Sequence, residues 1–134
     1  MDIGILSDTH NQLSNLISCL ATLKERGVQT VIHCGDLVDE GLIQYFKGFQ
    51  LIYMFGNTDL YTDSIQKQVQ HLGNGSQAGH HYEGVIGGKR IFAAHGDVEG
   101  QISQAALSKV YDYVFHGHTH RFKDDRILRT RVIN

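Results

Sequence analysis

Three short apolar runs in the first half of the chain each lead directly into a polar loop. They have the length and the β-branched composition of buried strands, and they cover residues 2–6, 30–34 and 50–55. Between them, apolar side chains recur at helical spacing over residues 13–23 and 37–46. Strands that alternate with helices form a parallel sheet with right-handed crossovers, so the loops after the three strands should share one edge of that sheet.

The middle of the chain combines a polar helical stretch with a predicted hairpin. Residues 60–72 predict a mostly polar helix, and the glycine-rich stretch 73–79 predicts a surface loop. Residues 80–86 and 89–94 are two strand-like runs joined by Gly87-Gly88, a dipeptide typical of a tight β-turn. This half of the chain therefore predicts a second set of strands.

The last third predicts one more buried strand and a final hairpin. A short helix over 101–110 leads to the apolar run 113–115, and the hairpin over 121–133 is expected to turn near residues 123–125. There are no internal repeats and no long linker, so residues 1–134 are expected to form a single domain.

Side chains that commonly bind metals follow five of the predicted strands. They are Asp8 and His10 after the first strand, Asp36 after the second, Asn57 after the third, His95 after the hairpin, and His118 with His120 after the run 113–115. Residues two apart in an extended segment face the same side, so His118 and His120 can point into one site. Each loop taken alone is explained at least as well by an ordinary polar turn, but five together are not expected by chance. Two divalent cations about 3.5–4 Å apart need a shared carboxylate, so the pattern predicts a dinuclear metal site with Asp36 as the bridge.

Composition supports metal binding and limits the partners. The chain has nine histidines, a residue type that is not among the common ones of globular domains. Twelve basic and fourteen acidic residues give a net charge of -2 without a long run of one sign, so neither nucleic acid nor a membrane is an expected partner. Cys19 and Cys34 have no CxxC spacing and are expected to be reduced. With no apolar segment of targeting or membrane-spanning type, a cytoplasmic protein is expected.

The loops form five motifs in a fixed order: DTH at 8–10, GD at 35–36, GNTD at 56–59, HGD at 95–97 and GHTH at 117–120. In this order the chain resembles the calcineurin-like metallophosphoesterase superfamily, and more narrowly its small single-domain bacterial and archaeal phosphodiesterases. The resemblance implies an α/β fold with two facing β-sheets flanked by helices, a four-layer sandwich. It implies that the first metal takes Asp8, His10, Asp36 and His120, and that the second takes Asp36, Asn57, His95 and His118.

The activity that the resemblance implies is hydrolysis of a small phosphoester, with a phosphodiester favoured, through a hydroxide that bridges the metals. Asp36, Asn57 and His10 are the expected catalytic residues; Asn57 could bind metal through its oxygen while its NH₂ group donates to the phosphate. Mixed Asp, His and Asn ligands suit Mn, Fe, Co, Ni or Zn, and Mn is the preferred choice. A phosphomonoesterase and a non-catalytic, protein-binding scaffold on the same fold remain the alternatives.

Two departures from the family pattern affect these expectations. Many members have a histidine, the proton donor to the leaving group, where this chain has Thr58, and we expect Asp59 to be able to orient a histidine placed there. Without that donor, His10 is the first alternative source of the proton. The chain also stops at Asn134, where relatives tend to continue with further strands. A truncated C-terminus would leave an open edge or exposed apolar surface, which makes a homo-oligomer plausible.

Overall fold

Two β-sheets face each other at the centre of the structure, a computed structural model that covers residues 1–134. The first sheet is parallel and runs in the order β1 (Ile3–Leu6), β2 (Thr30–His33), β3 (Gln50–Met54) and β4 (Gln77–Gly79). The second has five strands, in the order β5 (His81–Ile86), β6 (Lys89–Ala94), β7 (Tyr113–Phe115), β9 (Thr130–Ile133) and β8 (Asp124–Ile127). The predicted parallel arrangement of the first three strands is confirmed.

Helices cover the outer face of each sheet. Helices α1 (Leu13–Glu25) and α2 (Thr62–His71) and a 3₁₀ helix (Glu40–Phe46) pack on the first sheet, and α3 (Gln101–Leu107) packs on the second. The result is the predicted four-layer α/β sandwich. No helix in it has the length and apolar composition needed to cross a membrane.

The two faces of the first sheet carry separate cores. Because side chains alternate along a strand, Val31 and Leu51 point toward the helices, while Ile32 and Ile52 point toward the second sheet. Residues of β2 are buried on both faces, including the polar Thr30 and His33 at its two ends. The core fixes both sheets relative to each other and therefore fixes the loops at their ends.

The predicted helix over residues 37–46 was wrong in its first three residues. Their backbone N–H groups are used elsewhere: Leu37 donates to the Tyr53 hydroxyl, Val38 to the Asp59 carboxylate and Asp39 to the Asn11 side chain. Val38 has a φ of 77° and Asp39 has an extended backbone with a ψ of 112°, so a regular helix cannot include them and only the 3₁₀ helix from Glu40 forms. Asp39 caps it by accepting a hydrogen bond from the backbone N–H of Gly41.

Two expectations about the strands, and one about the last helix, were also wrong. Residues 77–79 form β4 rather than part of a loop, because an edge strand needs only backbone pairing with β3. The final hairpin turns at residues 128–129, not at 123–125, and its acidic residues lie in β8, where Asp124 pairs with Arg131 across the hairpin. Helix α3 ends at Leu107 instead of extending to residue 110.

His33 is a fully buried histidine at the end of β2. Its Nδ1 atom accepts a hydrogen bond from the backbone N–H of Gly35, its Nε2 atom pairs with the Thr9 hydroxyl, and its ring stacks on Tyr53. Burial lowers the pKa of His33 from 6.5 to about 4, although nearby Asp59 opposes this shift. The folded protein therefore keeps the ring neutral at a pH where the unfolded chain binds a proton.

We expect stability to fall as pH drops from about 6.5 toward 4, because protonation of His33 then favours the unfolded chain. Between pH 7 and pH 5, protonation of His33 should lower the free energy of unfolding by about 2 kcal/mol. Urea unfolding of metal-free protein at both pH values measures the loss, and His33→Gln, which has no titratable ring, should lose correspondingly less. Equal losses of stability in the wild type and in His33→Gln would contradict the assignment of this pH dependence to His33.

Candidate metal centre

The C-terminal ends of β1, β2, β3, β6 and β7 meet at one edge of the sandwich, and backbone hydrogen bonds join the loops that follow them. Asp8 N–H donates to the Gly35 carbonyl at 2.9 Å, and His10 N–H donates to the Asp36 carbonyl at 3.0 Å. At the end of the second sheet, the loops after β6 and β7 are joined in the same way, since Gly117 N–H donates to the His95 carbonyl at 2.9 Å. All seven residues predicted as ligands lie in these loops.

A first group of side chains consists of Asp8, His10 and His120. The Oδ1 atom of Asp8 lies 3.2 Å from His120 Nε2 and 3.7 Å from His10 Nε2, and the two imidazole centroids are 5.2 Å apart. One ligand atom from each residue falls within a 4.8 Å cluster, a spacing that could hold one cation.

A second group consists of Asn57, His95 and His118. The amide Oδ1 atom of Asn57 lies 2.8 Å from His95 Nε2 and 3.2 Å from His118 Nδ1, and these two imidazole centroids are 5.0 Å apart. The site therefore contains two pairs of histidines, each accompanied by an oxygen from a different loop.

Asp36 lies between the two groups. Its Oδ2 atom is 3.7 Å from His10 Nε2 and 3.2 Å from His95 Nε2, while its Oδ1 atom accepts a hydrogen bond from the backbone N–H of Thr58 at 2.9 Å. The side chain is 3% exposed. One oxygen is thus fixed by the backbone, and the other faces a histidine of each group.

Buried polar atoms without partners mark the centre of this arrangement. Asp8 Oδ1 and His10 Nε2 are both shielded from solvent and make no hydrogen bond. Such orphaned atoms are rare in folded proteins because each costs about 1–3 kcal/mol. A carboxylate oxygen and an imidazole nitrogen that face the same space fit a divalent transition-metal ion, which would satisfy both.

Other contacts hold Asp8 and His95 in a form that suits metal binding. Burial raises the pKa of Asp8, but hydrogen bonds from the Ser7 hydroxyl and the His118 backbone N–H outweigh burial and keep the pKa below its usual value. His95 Nδ1 donates to the Cys34 carbonyl at 2.7 Å, so its Nε2 atom carries the lone pair that faces Asp36. Asp8 is therefore a carboxylate at neutral pH, and His95 is held in the correct tautomer.

Backbone strain is concentrated in the same loops. Five of the seven predicted ligands have positive φ angles: 53° at Asp8, 42° at His10, 64° at Asp36, 73° at His118 and 56° at His120. This region is unfavourable for residues other than glycine, although Asp, Asn and His tolerate it best. Strained residues persist where the surrounding structure holds them, and they cluster at functional sites.

Two glycines leave the space that the ligands occupy. A Cβ atom at Gly56 would overlap the Asp36 carboxylate and lie 2.5 Å from the Asp36 backbone nitrogen. At Gly117 a Cβ atom would overlap the Ser7 hydroxyl and the Asp8 carboxylate. Glycine is required at both positions, because Gly56 packs directly against the backbone and carboxylate of Asp36, and Gly117 packs against the side chains of Ser7 and Asp8.

Asp59 is a residue of the candidate site whose contacts the sequence did not show. Its carboxylate is buried and accepts hydrogen bonds from the backbone N–H groups of Asp36, Val38 and Gly56 and from the Tyr53 hydroxyl. That Asp59 could orient a histidine at position 58 stays a prediction; its Oδ2 atom already accepts three hydrogen bonds and its Oδ1 atom one. A short polar side chain two residues after a ligand asparagine looks like an ordinary turn residue, and only the fold shows what it contacts.

Comparison with known proteins agrees with this geometry. The model of the calcineurin-like phosphoesterase superfamily domain matches residues 1–134. The chain belongs to the calcineurin-like phosphoesterase superfamily. The predicted resemblance, and with it the prediction of an enzyme that hydrolyses phosphoester bonds, is confirmed.

Individual members of the superfamily show how far the similarity extends. The chain is 30% identical to Phosphodiesterase MJ0936 of Methanocaldococcus jannaschii over all of its own length and 82% of the relative's. A solved archaeal phosphodiesterase has a TM-score of 0.95 at 30% identity, with the same coverage. The phosphoesterase Yfce from E. coli has a TM-score of 0.71 at 18% identity over 100% of this chain and 78% of its own. Vps29 from Chaetomium thermophilum has a TM-score of 0.70 at 16% identity over 98% of this chain and 70% of its own. At such low identity, the similarity to Yfce and to Vps29 shows the fold alone.

Substituting Gly56→Ala should disturb the site of this superfamily member without removing a ligand. The added methyl group collides with Asp36, so the free energy of unfolding should fall by about 1–3 kcal/mol. Urea unfolding in the presence of EDTA, which keeps the protein free of metal, measures this free energy. Gly79→Ala is the matched control, because the nearest atom to its Cβ is 3.6 Å away, in ordinary contact. An equal loss in both variants would show that the clash with Asp36 is not the cause.

Proposed function

We propose that the chain is a dinuclear metal-dependent phosphodiesterase. The observation that carries this proposal is the position of Asp36 Oδ2, which faces His10 on one side and His95 on the other. A first cation would be held by Asp8, His10, Asp36 and His120, and a second by Asp36, Asn57, His95 and His118. The orphaned Asp8 and His10 atoms support the first set, and the close approach of Asn57, His95 and His118 supports the second.

Two divalent cations held by these residues would activate a water molecule near neutral pH and would neutralise charge on the phosphoryl oxygens. The residues of the chain orient the reaction. Asp36 holds the two halves of the site together, and its fixed Oδ1 atom prevents the carboxylate from rotating away. Asn57 turns its Oδ1 atom toward His95 and His118, which leaves its NH₂ group free to donate to a phosphate oxygen.

A phosphodiester is the favoured substrate for two reasons. The relative with 30% identity over the whole chain is a phosphodiesterase. The small phosphodiesterases that the chain resembles commonly lack the proton-donating histidine of other members, and here position 58 carries a threonine whose hydroxyl is shielded from solvent and is too weak an acid to replace it.

The two alternatives have less support. A phosphomonoesterase fits the same metal set, but nothing beside the site favours it. A protein-binding scaffold, the second alternative, has no need for the buried, unpaired polar atoms of Asp8 and His10.

Metal identity, location and assembly complete the proposal. Nitrogen and oxygen donors suit Mn, Fe, Co, Ni or Zn, and Mn²⁺ is our first choice for assays.

Two unpaired cysteines fit a reducing, cytoplasmic setting. A homo-oligomer remains a prediction, and the surface that favours it is a groove of about 650 Å³ along the unpaired edge of β1, lined mainly by apolar side chains of both sheets.

The activity is tested with a panel of phosphodiesters and phosphomonoesters in the presence of added Mn²⁺. Diester hydrolysis that is abolished by EDTA and restored by Mn²⁺ is the expected result. Monoester hydrolysis alone would support the first alternative. Metal binding without any hydrolysis would support the scaffold.

Asp36→Asn should disrupt both metal positions, because the bridge loses its charge and a strong oxygen donor. Elemental analysis after metal loading should give two metals per chain for the wild type and fewer than one for the variant. Asp125→Asn, at an exposed position in β8, should retain two. One metal in the wild type, or two in Asp36→Asn, would contradict the ligand assignment.

The lack of an acid at position 58 predicts a dependence on the leaving group. Aryl diesters such as bis(p-nitrophenyl) phosphate should be hydrolysed at least tenfold faster than alkyl diesters, whose leaving oxygen needs a proton. Steady-state rates at saturating Mn²⁺ measure this ratio, and solvent viscosity identifies whether chemistry is rate-limiting. Equal rates with chemistry limiting would mean that another group donates the proton, and His10→Gln would then be the first variant to compare.

A further inference from the structure

Asp59 lies beneath the metal centre and does not face it. The residue is 6% exposed, and its two oxygens accept four hydrogen bonds. Oδ2 accepts from the Asp36 N–H at 3.0 Å, the Gly56 N–H at 2.8 Å and the Tyr53 hydroxyl at 2.6 Å, and Oδ1 accepts from the Val38 N–H at 2.9 Å. Four donors thus meet on one buried side chain, which fixes its position.

These donors belong to two different ligand loops. Asp36 and Val38 lie in the loop after β2, and Gly56 lies in the loop that carries Asn57. Tyr53 adds a further link, because its hydroxyl accepts a hydrogen bond from the Leu37 N–H at 3.0 Å while it donates to Asp59. Asp59 therefore joins the loop that carries the proposed bridge to the loop that carries a ligand of the second metal.

The hydrogen bonds hold backbone conformations that are unfavourable by themselves. Asp36 has a φ of 64° and Val38 a φ of 77°, and for a β-branched residue such a value is a clear outlier. Both strained residues donate their N–H groups to the Asp59 side chain. These hydrogen bonds help to hold the backbone conformation from which the Asp36 side chain enters the site.

Asp59 also controls the free oxygen of Asp36 indirectly. Its own N–H donates to the Gly56 carbonyl at 3.2 Å, which closes the turn that includes Thr58. The Thr58 N–H in that turn holds Asp36 Oδ1, so Oδ2 is left to face His10 and His95.

We propose that Asp59 is a positioning residue of the metal centre, which acts through Asp36 and Asn57 to set the distance between the two cations. This inference rests on the proposed function, since it presumes that the loops hold two metals. A purely structural role for Asp59 would lower stability and leave the folded site unchanged. A positioning role must weaken metal binding even where the protein is fully folded.

Asp59→Asn is the informative substitution because it keeps the shape of the side chain. The amide has one acceptor oxygen, and its NH₂ group would be turned toward at least one of the backbone N–H donors. Thr130→Val is the matched control: Thr130 is equally buried, its hydroxyl donates to the Tyr111 carbonyl at 2.7 Å, and it lies in β9 of the second sheet. Both variants should lower the melting temperature of the metal-free protein.

The test measures Mn²⁺ affinity by calorimetric titration at a temperature where circular dichroism shows all proteins folded, followed by electron paramagnetic resonance of the loaded samples. Loss of a group that supports metal ligands typically weakens binding 10–100-fold, so Asp59→Asn should bind Mn²⁺ at least tenfold more weakly than wild type. Its spectrum should lose the features of a spin-coupled Mn pair. Thr130→Val should bind Mn²⁺ with an affinity within twofold of that of the wild type, and its spectrum should keep the features of the Mn pair.

A wild-type affinity and a wild-type spectrum in folded Asp59→Asn would overturn the positioning role. If Asp59→Asn does not fold, Tyr53→Phe decides, because it removes one of the four donors to Asp59; binding weakened about threefold is expected, and unchanged binding would overturn the proposal. Wild type that binds two Mn²⁺ but hydrolyses no phosphoester would contradict the proposed function and not the role of Asp59. Wild type that binds no Mn²⁺ would overturn both.

Discussion

The carboxylate of Asp36 is the group on which the rest of the site depends. Its side chain is 3% exposed, and burying a carboxylate without compensating partners is costly. A single backbone hydrogen bond from Thr58 fixes one oxygen, and the other faces the imidazoles of His10 and His95. Two divalent cations between the histidines would offset that cost.

The fold supplies the geometry that this carboxylate requires. Five strand ends meet at one edge because the first three strands are parallel and because β6 and β7 of the facing sheet end on the same side. The loops then depart from ordinary backbone geometry, with left-handed residues at most of the ligand positions. Each such residue costs about 1–3 kcal/mol, and the helices and cores on both faces of the sheets provide the stability that offsets this cost.

Much of this could be predicted from the sequence because the signals are local. Strands β1, β2 and β3 are apolar runs, and the ligand residues follow directly at their ends, so position along the chain implies position in the fold. The failures share another cause. Residues 37–39, β4 and Asp59 are determined by hydrogen bonds to distant parts of the chain, and such bonds leave no periodic pattern. In β8, charged residues in an exposed edge strand look like a turn.

The central claim is that two cations share Asp36, and anomalous X-ray scattering from crystals loaded with Mn²⁺ tests it most directly. The account predicts two peaks about 3.5–4 Å apart, both in contact with the Asp36 carboxylate. One should also contact Asp8, His10 and His120, and the other Asn57, His95 and His118. A single peak, or two peaks of which one does not touch Asp36, would contradict it.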